Sequence, residues 1–489
     1  MGSMFSNDSR QFKFDVLTEL AAEAYQGEVD EAKVQLMAKN MVSLDGPRFR
    51  CCVYKEREVL RQRVRLACGE MADDAAEYNP HQIIQVIDAA CDGCTIRKIR
   101  VTDNCRKCMA KACMASCRFG AISMGSDRAQ IDYAKCKECT MCAKACPYNA
   151  IVVTERPCSA HCPVNAITWD KNGIASIDEQ RCINCGQCML ACPFGAIEDI
   201  SWVVPVITLL RLHTPTYAIV APSIQGQFEN ATLAQIMKGI EMLGFEKCYE
   251  VAAGADAVAA GEYEELKKHM AAGKPMTTSC CTAFVNMMRI HYPKLYQENT
   301  STLVTPMMAL ARKLKQEHPD HGVVFIGPCL AKKQEAMENS TDVDYVLTFE
   351  ELLAMLIAKK IDFAAIDAKT EDAPSNYGRG FAMTGGVAAA VQEAAKEHGD
   401  GPVSACYADG VMECKKQLML MQAGRFDSNI LEGMGCTGGC IGGPACISPI
   451  PQVKARMAME NKTVDAKSIQ DSLKVYDFSS VDMFRDKEQ

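Results

Sequence analysis

Apolar residues recur at helical spacing early in the chain, in Phe14-Asp15-Val16-Leu17-Thr18-Glu19-Leu20 and again from Val59 to Met71. That period predicts a small helical region over residues 1–87. Beyond Trp202 the pattern changes. Short β-branched runs alternate with amphipathic stretches: Tyr217-Ala218-Ile219-Val220-Ala221 precedes Ala231 to Leu243, and Gly322-Val323-Val324-Phe325-Ile326 precedes Glu350 to Lys360. This alternation predicts an α/β domain over 202–450, with a tail over 451–489. The most apolar short run, Val203 to Leu210, is broken by Pro205 and falls far short of the ~20 residues a membrane span needs. Between the helical and α/β regions, cysteine rather than hydrophobic periodicity sets the pattern.

Composition narrows the class. At 489 residues the chain has room for about three domains of ~150 residues with well-buried cores. Its net charge of −8 and isoelectric point near 5.7 give no footprint for nucleic acid or an anionic membrane. An acidic iron-sulfur partner would need a local basic patch. Twenty-eight cysteines, in a long chain with no signal-peptide pattern at its start and with CxxC spacing, indicate metal in a reducing, cytoplasmic compartment rather than disulfides. Met1-Gly2-Ser3 ahead of Met4 reads as an expression remnant.

Residues 91 to 192 hold sixteen cysteines. Cys136-x2-Cys139-x2-Cys142-x3-Cys146-Pro147 and Cys182-x2-Cys185-x2-Cys188-x3-Cys192-Pro193 are full bacterial ferredoxin motifs, in which three thiolates wrap one cube and the fourth ligates the other. Each needs a mate about thirty residues upstream. Cys105-x2-Cys108-x4-Cys113-x3-Cys117 serves the first. The second has only Cys158 and Cys162, and Cys91-Asp92-Gly93-Cys94 supplies the missing pair if one ferredoxin-like unit, about 101–155, is inserted into a loop of the other. The region 88–201 is then two nested α+β ferredoxin-like domains. Crossed ligation predicts four 4Fe-4S clusters: Cys91, Cys94, Cys158, Cys192; Cys162, Cys182, Cys185, Cys188; Cys105, Cys108, Cys113, Cys146; and Cys117, Cys136, Cys139, Cys142. The inserted unit departs from the motif, with four residues between Cys108 and Cys113 and Arg118 where proline is usual. Zinc ribbons are the competing reading of CxxC pairs, but the full motif written twice and only eight histidines weigh against them. Cys51, Cys52, Cys68, Cys248, Cys406, Cys414 and Cys446 match no ligand spacing and read as spare or buried thiols, Cys446 lying near enough in sequence to Cys440 to approach the same region.

Three further segments stand apart: Thr278-Ser279-Cys280-Cys281-Thr282-Ala283-Phe284, Gly327-Pro328-Cys329-Leu330-Ala331-Lys332-Lys333 and Met434-Gly435-Cys436-Thr437-Gly438-Gly439-Cys440. Cys281, Cys329, Cys436 and Cys440 are the number of thiolates one more cube needs. Cys280 is left over, and a free thiol beside a metal centre can carry a proton because its pKa is within reach of neutrality. In order and spacing these segments resemble the three signature segments of the iron-iron (FeFe) hydrogenases, over roughly residues 205 to 446.

The resemblance implies an α/β catalytic domain of two lobes with an H-cluster between them: a 4Fe-4S cube bridged through Cys440 to a two-iron unit carrying CO, cyanide and azadithiolate. It implies that Pro222-Ser223 and Lys332 bind the cyanides, that Met434 packs on the two-iron unit, and that Cys280 exchanges protons with it. Glu262 and Glu265, at i and i+3 of one helix, resemble the acidic pair of the family's proton path, with Thr300 or Ser301 between them and His269 where an arginine is common. The departures are Thr282-Ala283-Phe284, Thr437 where proline is common, and Gly327 where methionine is frequent, and they place the chain in a divergent branch. The activity implied is reversible reduction of protons to H2, with electrons relayed from ferredoxin and the two-iron unit inserted by maturation proteins. The alternatives are a hydrogen sensor or a non-catalytic hydrogenase-like iron-sulfur protein.

Overall fold

The computed structural model describes residues 5, 7–42, 46–73, 82–94, 97–369, 374–461 and 467–485; Met1-Gly2-Ser3 lies outside them. The α/β expectation holds at the level of elements. Thr216–Val220 and Gly322–Ile326 are neighbouring parallel strands at the centre of a four-stranded sheet, flanked by Lys247–Glu250 and Tyr345–Leu347. Thr216–Val220 is buried along its length, as a central parallel strand covered on both faces must be. A second parallel sheet runs Met276–Thr277, Ile430–Met434, Ala405–Asp409.

The helices begin where short polar side chains can cap them. Thr232 caps Leu233–Met242 and Thr348 caps Phe349–Ala358, each in a reciprocal box with Gln235 or Glu351. The helix Ala252–Ala271 is rich in alanine and glycine because its neighbours come close: a Cβ on Gly254 would meet the Pro306 carbonyl at 2.4 Å, and one on Gly261 would meet Leu303 at 2.6 Å. Among the described residues no helix is long and apolar enough to cross a membrane.

The cysteine-rich region consists of short antiparallel strand pairs. Ile99–Val101 pairs with Ile151–Val153 and Ile122–Met124 with Ala129–Ile131 in the inserted unit, which has a core of its own around Ile99, Ile122 and Ile151. In the outer unit Ile84–Val86 pairs with Ile197–Asp199 and Ile167–Trp169 with Ala175–Ile177.

The N-terminal region is more than a lead-in. Its helices Asp8–Gln26, Glu31–Asn40 and Val53–Ala67 contribute Phe14, Leu17, Leu20, Leu60 and Val64 to the main core. Lys13 donates to Asp199 at 2.6 Å, and Lys333 donates to the other oxygen of Asp199 at 2.7 Å, to the Ile200 carbonyl at 2.7 Å and to Glu351 at 3.0 Å. One buried charge network thus joins the first helix, the outer unit and the α/β domain. Burial alone would raise the Asp199 carboxyl, but Lys13 and Lys333 hold it well below its ordinary range. The residues after 450 are likewise ordered into helices Ile450–Asn461 and Ile469–Val475. The chain then runs back along Thr302 to Val304, where Val304 N–H donates to the Met483 carbonyl and Arg485 N–H to that of Thr302, both at 2.8 Å.

Candidate active site

The three signature segments meet because each follows a parallel strand. Met276–Thr277 delivers Cys280 and Cys281 to the start of helix Thr282–His291, Gly322–Ile326 delivers Cys329 ahead of helix Ala331–Glu338, and Ile430–Met434 leads to Cys436 and Cys440. Carboxyl ends of such strands are the usual place for a site. The departures have local causes. A Cβ on Gly327 would lie 2.6 Å from the Phe325 ring, and one on Gly433 would lie 2.4 Å from Phe284, so Phe284 occupies the space beside a bare backbone. The Thr282 hydroxyl donates to Glu335 Oε2, a contact proline could not make.

Cys281, Cys329, Cys436 and Cys440 lie within electrostatic range of one another. Burial, then neighbouring thiols, pushes Cys329 up to about 11 and Cys436 and Cys440 well above the ordinary thiol value. All four nevertheless retain accessible surface. Both observations hold together only if that surface faces an internal space. Gly435 N–H donates to Cys281 Sγ at 3.3 Å. Ser223 is buried, and its Oγ finds no hydrogen-bond partner among the described residues. A buried hydroxyl without a partner is costly, and this one fits an acceptor supplied by a bound group. Lys332 Nζ donates to Glu335 Oε2 at 2.6 Å and lies near Cys329 and Cys440. Met434 is buried at the end of its strand. The residues present therefore fit a large anionic group held by thiolates.

Cys280 sits beside Glu262, Cys281, Glu432 and Cys440, and burial followed by the Glu262 charge raises its pKa well above the ordinary value. It is therefore held as a thiol, and the group near neutrality is its neighbour. Glu262 is buried and pushed up to about 7 by burial, against hydrogen bonds from Ser279. Its Oε1 accepts from Ser279 N at 2.8 Å and Ser279 Oγ at 2.9 Å, while Oε2 has no partner among the described residues. Glu265 takes hydrogen bonds from the backbone N–H and hydroxyl of Thr302, one residue beyond the pair expected. Thr277 Oγ1 donates to Thr300 Oγ1 at 3.2 Å, and Ser301 Oγ accepts from Leu303 N at 3.2 Å. Sequence reading also passed over Arg485, whose guanidinium donates to the Ser279 carbonyl at 3.1 Å and the Leu303 carbonyl at 2.8 Å. It passed over Glu432, pushed up to about 7 by burial. Nothing local in the sequence marks either; only the i, i+3 spacing of Lys332 and Glu335 was there to be seen.

Several accessory thiols lie within electrostatic range of one another. Cys158 neighbours Cys192, Cys94 and Cys91; Cys188 neighbours Cys185, Cys182 and Cys162; Cys113 neighbours Cys146 and Cys105; Cys142 neighbours Cys136 and Cys117. Cys108 and Cys139 lie on the same loops, Cys139 exposed. The set holding Cys185 adjoins Cys436. Of the spare cysteines, Cys248, Cys414 and Cys446 are buried, Cys406, Cys52 and Cys68 are partly exposed, and Cys51 is exposed. Cys446 Sγ does reach the Cys440 carbonyl, at 3.3 Å.

Residues 214–444 match the family model described as iron only hydrogenase large subunit, C-terminal domain; residues 129–152 match a 4Fe-4S binding domain, and 152–203 the LdpA Fe-S cluster-binding domain. Iron hydrogenase 1 of Clostridium pasteurianum is 32% identical over 183 residues, 33% of this chain and 32% of that one. The periplasmic [Fe] hydrogenase large subunit of Nitratidesulfovibrio vulgaris is 28% identical over 263 residues, 44% of this chain and 62% of that one. The chain thus spans less than two thirds of these curated relatives. The solved [FeFe]-hydrogenase HydA1 from Chlamydomonas reinhardtii, in variant form, aligns at a TM-score of 0.45 and 22% identity over 55% of this chain and 89% of its own. Residues 214–444 are thus similar to the C-terminal domain of the iron only hydrogenase large subunit, and the region ahead of them is similar to iron-sulfur cluster-binding domains.

Proposed function

We propose that the protein catalyses the reversible reduction of protons to H2, with electrons relayed through four accessory 4Fe-4S clusters from a ferredoxin. The observation that carries this reading is the fifth thiol: Cys280 borders the four-thiol pocket without being required by it, and touches on a buried carboxyl near neutrality. Cys281, Cys329, Cys436 and Cys440 would hold the cube, with Cys440 as the bridge to a two-iron unit placed there by maturation proteins. When bound, that unit supplies the chemistry by which protons and electrons combine.

The chain's own tasks are binding, orientation and proton supply. The Lys332 ammonium offers a charge-assisted hydrogen bond to an anionic ligand and is itself held by Glu335. Ser223 offers a hydroxyl with no competing partner. Cys280 keeps a proton at the pocket wall. Glu262, at about 7, can take up or release one at neutral pH, as a relay group must, and Glu265 with Thr302 continues the line outward.

Cys280→Ala tests the reading. It removes the proton carrier and leaves the four ligands, so H2 evolution and uptake should both fall by ~100-fold or more while the infrared bands of bound CO and cyanide persist. Activity surviving with those bands intact would overturn the role of Cys280 and that of Glu262 with it.

A further inference from the structure

The inserted unit differs from the rest of the molecule in charge. Residues 97–155 hold eleven Lys and Arg against five Asp and Glu, a net +6 in a chain of net −8. The outer unit, 82–94 and 156–201, holds three against seven. Five of the basic side chains are also uncompensated: among the described residues Arg106, Lys111, Arg118, Lys137 and Lys144 are exposed and make no ion pair, while Lys98, Arg128 and Lys135 pair with neighbouring carboxylates.

At the middle of this charge stands Met109, 97% exposed and the most exposed large hydrophobic side chain among the described residues. It occupies the lengthened loop between Cys108 and Cys113. Lys107 and Lys111 flank it, both with left-handed backbone, at φ +46° and +44°. Such conformations cost ~1 kcal/mol or more for a side chain other than glycine, so the loop holds its tip outward against a local preference. The short helix Ala112–Ala115 packs on Met141–Ala145, which brings half-exposed Met141 and Lys144 alongside. An apolar centre ringed by like charge is how transient protein interfaces are built, and a flexible methionine suits a partner that must leave quickly. Cys108 and Cys113 bound this loop in sequence, and Cys113 lies near Cys105.

We propose that this face, built on Arg106, Lys107, Met109, Lys111, Arg118 and Lys144, is the docking surface for an acidic iron-sulfur electron carrier protein. The proposal rests on the electron-relay reading above. Opposite charge speeds encounter by ~10-fold to 1,000-fold at low salt and is screened beyond about 10 Å at 0.1 M salt, so the partner is drawn in and released without a large buried area.

The test uses the full reconstituted chain and a reduced, purified acidic eight-iron ferredoxin as probe, with stopped-flow absorbance following reduction of the accessory clusters. Reduced methyl viologen is the small reference donor. The wild-type rate with ferredoxin should fall as salt rises. In the double variant Lys107→Glu with Lys111→Glu it should be lower by ~10-fold or more at low salt and nearly independent of salt, with the viologen rate unchanged. Met109→Ser should slow ferredoxin alone, and Lys416→Glu, on an exposed helix of the α/β domain, should slow neither. A double variant that keeps the wild-type rate and salt slope overturns the proposal, as does a wild-type rate indifferent to salt. If the double variant also loses the viologen rate, its clusters are damaged and Lys144→Glu decides by the same two criteria. Cluster reduction is read here rather than H2, so this result and that of Cys280→Ala can fail independently.

Discussion

After Cys185 comes Gly186; after Cys139, at the same place in the other ferredoxin-like unit, comes Thr140. Both residues have left-handed backbone, at φ +75° and +65°. The conformation alone therefore does not demand glycine. What demands it is the neighbourhood: a Cβ on Gly186 would lie 2.9 Å from Pro444, four residues after Cys440, and 3.0 Å from Leu330, next to Cys329. The contrast repeats along the two loops. Asn184 is buried and donates to Gln334 at 2.6 Å, while its counterpart Glu138 is exposed. Phe194 lies under the Arg50 guanidinium, while Tyr148 is 50% exposed. Two units with one cysteine spacing have been fitted to opposite surroundings, one packed against the α/β domain and the other facing solvent.

The sharpest way to break this comparison is to remove the ion network from one side. Lys333→Met leaves the Asp199 and Glu351 carboxylates buried with one cation fewer, and breaking such a set costs ~3–5 kcal/mol. Lys135→Met in the inserted unit loses only an exposed pair with Asp132, worth under about 1 kcal/mol. Thermal unfolding should show a large fall for the first and almost none for the second; equal falls would mean that the two units are equally embedded.

The next effect is smaller. Gly186→Thr should cost ~1–3 kcal/mol by overpacking and displace its loop from Pro444. Thr140→Gly should be neutral or gain under about 1 kcal/mol, since it only relieves left-handed strain. Denaturant midpoints of the two variants check the pair.

The smallest effect is that of mild acid. Lys13 and Lys333 depress the Asp199 carboxyl, so the stability it contributes is fully present above its ordinary value of 3.8 and is lost as pH falls toward its folded-state value. Hydrogen exchange should show little change from pH 7 to about 5. Toward pH 3 the strand pair Ile84–Val86 with Ile197–Asp199 should begin to open in a way that salt alone does not reproduce.

The sequence was most legible where spacing carries the chemistry. The three signature segments and the two full ferredoxin motifs are found by counting residues, because their order and spacing are written in the chain. The strands at 217 and 322 were legible too, since their burial leaves an apolar run. Contacts made by residues far apart in sequence were not legible. Lys333 looks like a repeat of Lys332, yet one points to the pocket and the other into the outer unit. Thr302, rather than Thr300 or Ser301, bonds to Glu265, because the side-chain direction depends on how that segment pairs with the end of the chain. The helices before residue 73 gave periodicity without a destination, and the first of them packs on Phe349–Ala358 and Val203–Arg211 of the α/β domain.

Both extremities of the described chain are fastened to walls of the pocket: Arg10 donates to the Cys446 carbonyl and Arg485 to the Ser279 carbonyl. This has a bearing on biosynthesis. Domains fold as the ribosome releases them, earlier segments first, and strand Met276–Thr277 pairs with Ile430–Met434, so Cys280 and Cys281 take their places only after residue 434 is made, still before the arginine that clasps the backbone beside them exists. During that interval the Ser279 side of the pocket lacks its clasp.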